Sequence, residues 1–400
     1  MSYDLAVVGA GIVGLAVARE YLRRRPGASV AVIDQQATVG YHQTSHNSGV
    51  IHSGVYYKPG SLKARLCVEG ARLMYEFCEA HAIRHERCGK LIVAVREDEL
   101  PALAELEERG RANGVPGLRR VGRGEIAGVE PECRGLAGLH SPATGITDYP
   151  AVARALEADL RAAGVRVALG CQIRRVRRER GQTVLQHDGG SYQASWAVLC
   201  AGLGSDRLAV SAGASADPRI VPFRGAYLRL AAGQQPVVRG MVYPVPDPEL
   251  PFLGVHVTRH IDGSVMLGPT AMLVGARDAY DIRTVRARDV ASTLSWPGTW
   301  RVGRRFWRTG LDEMRMAASR AAFVRACAQY VPAVASMRID ARGMAGVRAQ
   351  AVGRDGRLLD DFTISQTPGA THVRNAPSPA ATSSLALARE IVDRCEAAAG

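Results

Sequence analysis

Residues 5–22 read LAVVGAGIVGLAVAREYL. A run of apolar strand formers enters Gly9-Ala10-Gly11-Ile12-Val13-Gly14, and a helical stretch leaves it. Glycines at this spacing sit where a strand must turn sharply into a helix. Gly11 lets backbone approach a pyrophosphate, and Gly14 lets helix and strand pack closely. The helix N-terminus then presents free N–H groups to phosphate oxygens. A second strand, VAVID (30–34), ends at Asp34, placed to accept hydrogen bonds from ribose hydroxyls. Strand, glycine turn, helix and distant acid together predict a dinucleotide-binding α/β fold.

The turn alone does not separate NAD from FAD. Its place at the start of the chain favours FAD, because the rest of an FAD domain commonly returns much later. SWAVLCAGLGSDRLA (195–209) is a buried strand running into Ala201-Gly202 and a helix. CQIRRVRRE and QTVLQHDG before it read as a small antiparallel ribbon. THVRNAPSPAATSSLALAREIVDRC (371–395) gives a strand, a Pro-broken turn and a C-terminal helix, with Ser378 and Thr382 as candidate caps. The amides of Ala380, Ala381 and Thr382 would face an electron-rich ring.

Between these landmarks the texture changes. GKLIVAV (89–95) reads as a strand, followed by a charged helix. FRGAYLRL, VVRGMVYPV, FLGVHVTRH and SVMLG read as strands of an antiparallel sheet, separated by Pro/Gly turns such as PVPDPELP. Residues 285–330 read as helical with a Pro-Gly break at 297–298. The expected architecture is a Rossmann-type FAD-binding domain (1–85, 141–216 and 339–400) interleaved with a substrate domain of mixed or antiparallel sheet plus helices (86–140 and 217–338).

Composition narrows the class. The 400 residues carry a formal net charge of +13, with 47% apolar and 22% charged side chains, as in an ordinary globular protein. The positive charge favours anionic ligands or an acidic surface. No basic-aromatic RNA motif accompanies it, so nucleic acid is not an expected partner. No apolar run is long enough to span a bilayer, and the N-terminus lacks a signal-peptide pattern. A cytoplasmic protein is expected, with peripheral contact at the inner face of the cell membrane as the alternative placement. The eight cysteines form no CxxC pair and lack zinc-ligand spacing; they read as reduced buried thiols, with flavin attachment at one of them the lesser alternative.

SHNSGVIHSGVYYKPGSLKAR (45–65) packs histidines, paired tyrosines, a lysine and an arginine among small residues. Neither a solvated loop nor a core strand needs that mixture. HQTSHNSGVIHSGVYYKPGSLKARLCVEG, HSPATGITDY, YPVPDPELPFLGVHVTRHIDGSVMLGP, WRTGLDEM, GVRAQAV and NAPSPAATSSLA together resemble the L-2-hydroxyglutarate oxidase/dehydrogenase family, nearly end to end. The wider relatives are D-amino-acid-oxidase-like flavoproteins.

The resemblance implies noncovalent FAD, an L-2-hydroxy diacid substrate, hydride transfer from C2 to flavin N5, and 2-oxoglutarate as product. It implies return of the electrons to oxygen, a quinone or another carrier. A base near neutral pH is most naturally histidine, and His52 is the first choice. Tyr57 and Lys58 join it as catalytic candidates. Tyr56, Arg65, Arg224, Tyr243, His256 and Arg348 are the candidate carboxylate partners, guanidinium being the better fork. Strand alternation turns His256 and Thr258 inward and Val255, Val257 and Arg259 outward. Beside the glycine turn and Asp34, the expected cofactor shell includes Gln35, Thr44, Ser45, His46, Asn47, Ser48, Gly49 and Val176. Ala201, Gly202, Gly346 and Pro379 complete it with the three amides named above.

Two departures stand out. The family's FRGEYY is Phe223-Arg224-Gly225-Ala226-Tyr227-Leu228 here, and its GPN is Gly268-Pro269-Thr270. They leave open a related hydroxy acid as substrate, or drift at structural positions. A flavin amine or amino-acid oxidase of the same fold is the enzymatic alternative. WRVGRRFWRTGLDEM (300–314) combines a broad apolar face with four arginines. It reads either as a membrane-surface helix or as a domain-packing helix.

Overall fold

The computed structural model describes residues 2–234, 237–247, 254–340 and 343–399. Parts of PVPDPELP and the first two residues of FLGVHVTRH lie outside them. Strand β1 (Ser2–Val8) runs into helix α1 (Ile12–Arg24), followed by β2 (Val30–Ile33). β1 pairs in parallel with β2 on one side and with the strand Gly190–Leu199 on the other. The strand Ala370–Asn375 adds in parallel beyond Gly190–Leu199. Every residue of β2 is buried, as expected for a parallel strand covered on both faces. The expected ribbon forms one edge of this eight-stranded sheet, pairing Arg175–Glu179 with Gln182–His187.

A second eight-stranded sheet draws on Lys90–Ala94, Ala137–Ser141, Met241–Pro244, His256–Arg259 and Val265–Gly268, among others. Its pairings are antiparallel except Met241–Pro244 on Lys90–Ala94. In a separate three-stranded sheet, Arg219–Ala226 pairs antiparallel with Ala345–Val352 over eight register pairs. The second sheet also takes Ile339–Asp340, just past the expected boundary.

Helix α2 (Leu62–Ala80) packs against the C-terminal helix Ala380–Ala399. Gly70 lies at this contact, where an added Cβ would lie 2.6 Å from Ser383 Cα. That contact sets the N-terminus of the last helix against β3 (Val50–Ile51), where the Thr382 hydroxyl donates to Val50 O at 3.2 Å. The 285–330 region forms four short helices, breaking at Phe306 as well as before Pro297. Among the described residues no helix is long and apolar enough to cross a membrane.

Candidate active site

The glycine turn is built by close approach. A Cβ on Gly9 (φ 112°) would lie 2.2 Å from Cys200 O, and one on Gly14 would lie 1.9 Å from Gly9 O. A Cβ on Gly11 would meet only Thr44 Oγ1, at 3.5 Å; the space beyond it belongs to a cavity. The Ile12 amide donates to Thr44 Oγ1 at 3.1 Å, and the Leu15 amide is the first to turn back, onto Gly11 O. The amides of Val13 and Gly14, which line the cavity, donate to no described acceptor. Asp34 accepts from the amides of Ala10 (2.7 Å) and Gln36 (2.8 Å) and keeps lone pairs for a ribose.

The cavity measures about 1640 Å³, beyond the roughly 300–1,000 Å³ of a drug-sized pocket. It runs from Gly9, Gly11, Ile12, Asp34 and Gln35 past Thr44, His46, Asn47 and Ser48. Ala201, Gly202 and Gly346 form its middle, and Pro379, Ala380, Ala381 and Thr382 close one side of the far end. Gly346 has no room for a side chain, since its Cβ would sit 2.4 Å from His46 O. The His46 ring stacks on Tyr280, with centroids 3.8 Å apart. FAD fits this trough. Bare helix amides and a ribose acceptor mark one end, a glycine-lined passage follows, and a second helix N-terminus stands at the other end. There the amides of Ala381 and Thr382 have no described acceptor, whereas that of Ala380 donates to Pro377 O.

His52, Tyr243, His256 and Arg348 share the far end. His52 follows β3, and its backbone N–H is held by Thr382 Oγ1 at 3.1 Å. Its ring is half-buried by surface area yet enclosed by protein, and the residue lines the cavity. Nδ1 is sealed without a hydrogen-bond partner among the described residues, and Nε2 lies 3.4 Å from Ser378 Oγ. Burial first, then the neighbouring Lys90, His256 and Lys63, all of which oppose a second positive charge here, hold the imidazole well below its usual pKa. His52 is therefore neutral at pH 7. His256 donates from Nδ1 to Gly254 O at 2.9 Å and stacks on Tyr243 at 3.8 Å. Burial lowers its pKa to about 3, so it too is neutral.

Other candidates are placed elsewhere. Lys58 is exposed in the turn before α2, and Arg65 on α2 is an exposed partner of Glu390 at 2.8 Å. Neither lines the cavity. Arg224 turns away from it and donates to Tyr280 O at 3.1 Å, while its neighbours Phe223 and Gly225 line it. Tyr56 lies beside Tyr243, ring centroids 6.4 Å apart, with its hydroxyl buried and no partner among the described residues; the Tyr57 ring packs with Ala64 and Cys67. Ser45 donates to Gly40 O, and Gly49 bonds Asn47, so both shape the loop without lining the cavity. Val176 lies in the core under the first sheet, and Gln172, Ile173, Arg174 and Arg175 present themselves to the cavity instead. Thr382 is no cap; its hydroxyl ties the last helix to β3. The two departures are partners. The Ala226 amide donates to Thr270 Oγ1, and the Thr270 amide donates to Ala226 O, both at 3.1 Å.

Sequence reasoning missed Tyr280 and Lys90. Lys90 opens a strand, where a lysine reads as solvent-facing, yet it is 2% exposed beside Tyr243.

The profile of the FAD dependent oxidoreductase (DAO) family matches residues 4–394. The chain is 44% identical to the mitochondrial L-2-hydroxyglutarate dehydrogenase of Nematostella vectensis, covering 98% of this chain and 90% of that protein. It is 43% identical to the human mitochondrial enzyme of that name, over 99% of this chain and 89% of the other. With the L-2-hydroxyglutarate dehydrogenase of Indibacter alkaliphilus it shares 42% identity over 97% of each. Among solved structures, FAD-bound L-alpha-glycerophosphate oxidase from Mycoplasma pneumoniae superimposes with a TM-score of 0.78 at 21% identity, covering 98% of this chain and 94% of that one. Glycine oxidase from Geobacillus kaustophilus gives 0.75 at 20%, covering 99% and 95%. At these identities the two structures speak for the fold alone.

Proposed function

Because this chain belongs to the DAO family of FAD-dependent oxidoreductases, we propose that it oxidises L-2-hydroxyglutarate to 2-oxoglutarate. The observation that carries this is identity above 40%, over nearly the whole chain, to proteins named for that reaction. When bound, FAD supplies the two-electron acceptor for the hydrogen on C2.

The chain's own residues do the rest. His52 takes the hydroxyl proton at Nε2, the ring nitrogen on the cavity side, because Nδ1 is sealed. Its depressed pKa keeps it unprotonated and ready at neutral pH. The backbone bond from His52 to Thr382 fixes the ring against the last helix. Arg348, on the strand Ala345–Val352, meets one substrate carboxylate, and Tyr243 and His256 wall the other end. The first sheet carries the cofactor and the second covers the substrate.

Oxygen, a quinone or another carrier takes the electrons. A quinone suits the surface of helices Pro297–Arg305 and Trp307–Ala318. Trp300, Trp307, Leu311 and Met314 are exposed there beside Arg301, Arg304, Arg305 and Arg308. Such a face fits an anionic bilayer surface.

Anaerobic addition of 2-hydroxy acids of both hands to the purified yellow protein tests the reading. Bleaching by L-2-hydroxyglutarate, and not by its mirror image, glutamate, glycine or sarcosine, is expected. Bleaching by an amine alone would replace the proposal with an amine oxidase.

A further inference from the structure

Lys90 opens the strand Lys90–Ala94, next to Met241–Pro244 in the second sheet. Its ammonium lies 4.3 Å from the centre of the Tyr243 ring and 5.1 Å from that of Tyr56. Tyr243 lines the cavity and stacks on His256, so Lys90 stands directly behind the cavity's far wall. No described carboxylate forms an ion pair with it. The titratable groups around it are Tyr56 beyond β3, Cys67 on α2, Cys88 before its own strand, Tyr243 and His256 on neighbouring strands, and His52. Both histidines are neutral, and burial pushes the Cys67 thiol up to about 12 and the Cys88 thiol up to about 11. Among the described residues, then, Lys90 is a second buried cation near Arg348, and no anion stands beside it.

We propose that Lys90 is a specificity-determining residue, the buried cation whose counter-charge is the second carboxylate of a dicarboxylate substrate. This rests on the 2-hydroxy diacid reading above. Arg348 serves one carboxylate of any 2-hydroxy acid, and Lys90 makes a second one worth having. The interaction passes through the Tyr243 wall, so Lys90 acts by its field and by positioning that wall. An uncompensated buried charge is costly, and a dianion arriving opposite it removes the cost. Burial has already lowered the Lys90 pKa to about 7, so at pH 8 the free enzyme holds most Lys90 neutral. Dianion binding then draws a proton onto it.

The test uses FAD-loaded enzyme and glutarate, a diacid that lacks the oxidisable hydroxyl, with butyrate as the monoanion. Calorimetric titration in buffers of different ionisation heat counts protons. Glutarate is expected to bring up to one proton at pH 8 and progressively fewer at pH 6, where Lys90 is already charged. Butyrate brings none. Uptake that grows from pH 8 to pH 6 would assign the proton to His52 or His256 and overturn the proposal. So would an absence of uptake, or no binding of glutarate. Lys90→Met and Lys90→Gln should each lose roughly tenfold or more of the preference for glutarate over butyrate, and the uptake with it. A folded variant that keeps both also overturns it. Because glutarate is not turned over, an enzyme that binds it through Lys90 yet fails to oxidise L-2-hydroxyglutarate would sink the functional reading and leave Lys90 standing.

Discussion

His52 shows how a side chain's chemistry follows from its enclosure. Its ring has one sealed nitrogen and one facing the cavity, and burial keeps it neutral. His52→Ala should retain FAD and lose about a hundredfold or more in the rate of flavin reduction, the usual scale for a general base. Lys58→Ala and Arg65→Ala should change kcat/KM by less than about twofold, since both side chains stand in solvent away from the cavity. Lys90 gives a stability signature as well. Its folded pKa of about 7 lies below the 10.5 of an exposed lysine, so between those values the unfolded chain binds more protons. Stability from this group therefore rises with pH across that window. Lys90→Met should raise Tm relative to the native chain at pH 6, and thermal melts should show the gain shrinking toward pH 10. The residue scale is also where sequence misleads most. Between β3 and α2 the chain is irregular and no periodicity aims a side chain, so His52 and Lys58 carry equal promise as letters and opposite placements in space. Lys90 hides for the converse reason, a charged residue at a strand start that the fold buries.

At the scale of elements, the glycine turn was legible because backbone contact demands it. Gly9 and Gly14 have no room for Cβ, and Asp34 ties its carboxylate to the turn's own amide. Gly11→Val should abolish FAD retention while leaving the fold, because its Cβ direction opens on the cavity. Absorbance of the purified variant checks this. Gly70→Val acts differently. It pushes the last helix away from α2 at 2.6 Å, and should cost about 1–3 kcal/mol of overpacking and loosen FAD together. Denaturant melts and flavin content measure the two effects. The strand order of the second sheet was not legible, since its strands come from both sides of the chain and pair across about 150 positions, as Lys90 does with Met241. The apolar-basic face of Pro297–Arg305 and Trp307–Ala318 was visible in sequence, but the break at Phe306 was not. Replacing Trp300 and Trp307 with Ser should lower sedimentation with anionic vesicles and spare turnover with a soluble dye.

On the scale of the molecule, two eight-stranded sheets meet at one trough, and every catalytic proposal depends on that meeting. β3 and the first turn of the last helix come from opposite ends of the chain and are joined by one threonine hydroxyl. The same enclosure governs acid stability. His52, His256 and His372 are all held neutral below the usual histidine pKa, the last at about 4. Below about pH 6.5 the unfolded chain binds the extra protons, so Tm should fall steadily from pH 7 to pH 5. The central claim is that His52 takes the hydroxyl proton of a diacid lying in this trough. Anaerobic rapid mixing of FAD-loaded native and His52→Ala enzyme with L-2-hydroxyglutarate, followed by flavin bleaching, tests it most directly. Rapid bleaching of the native enzyme and a loss of about a hundredfold or more in the variant, both with full flavin, are predicted. Equal bleaching rates in the two would contradict it.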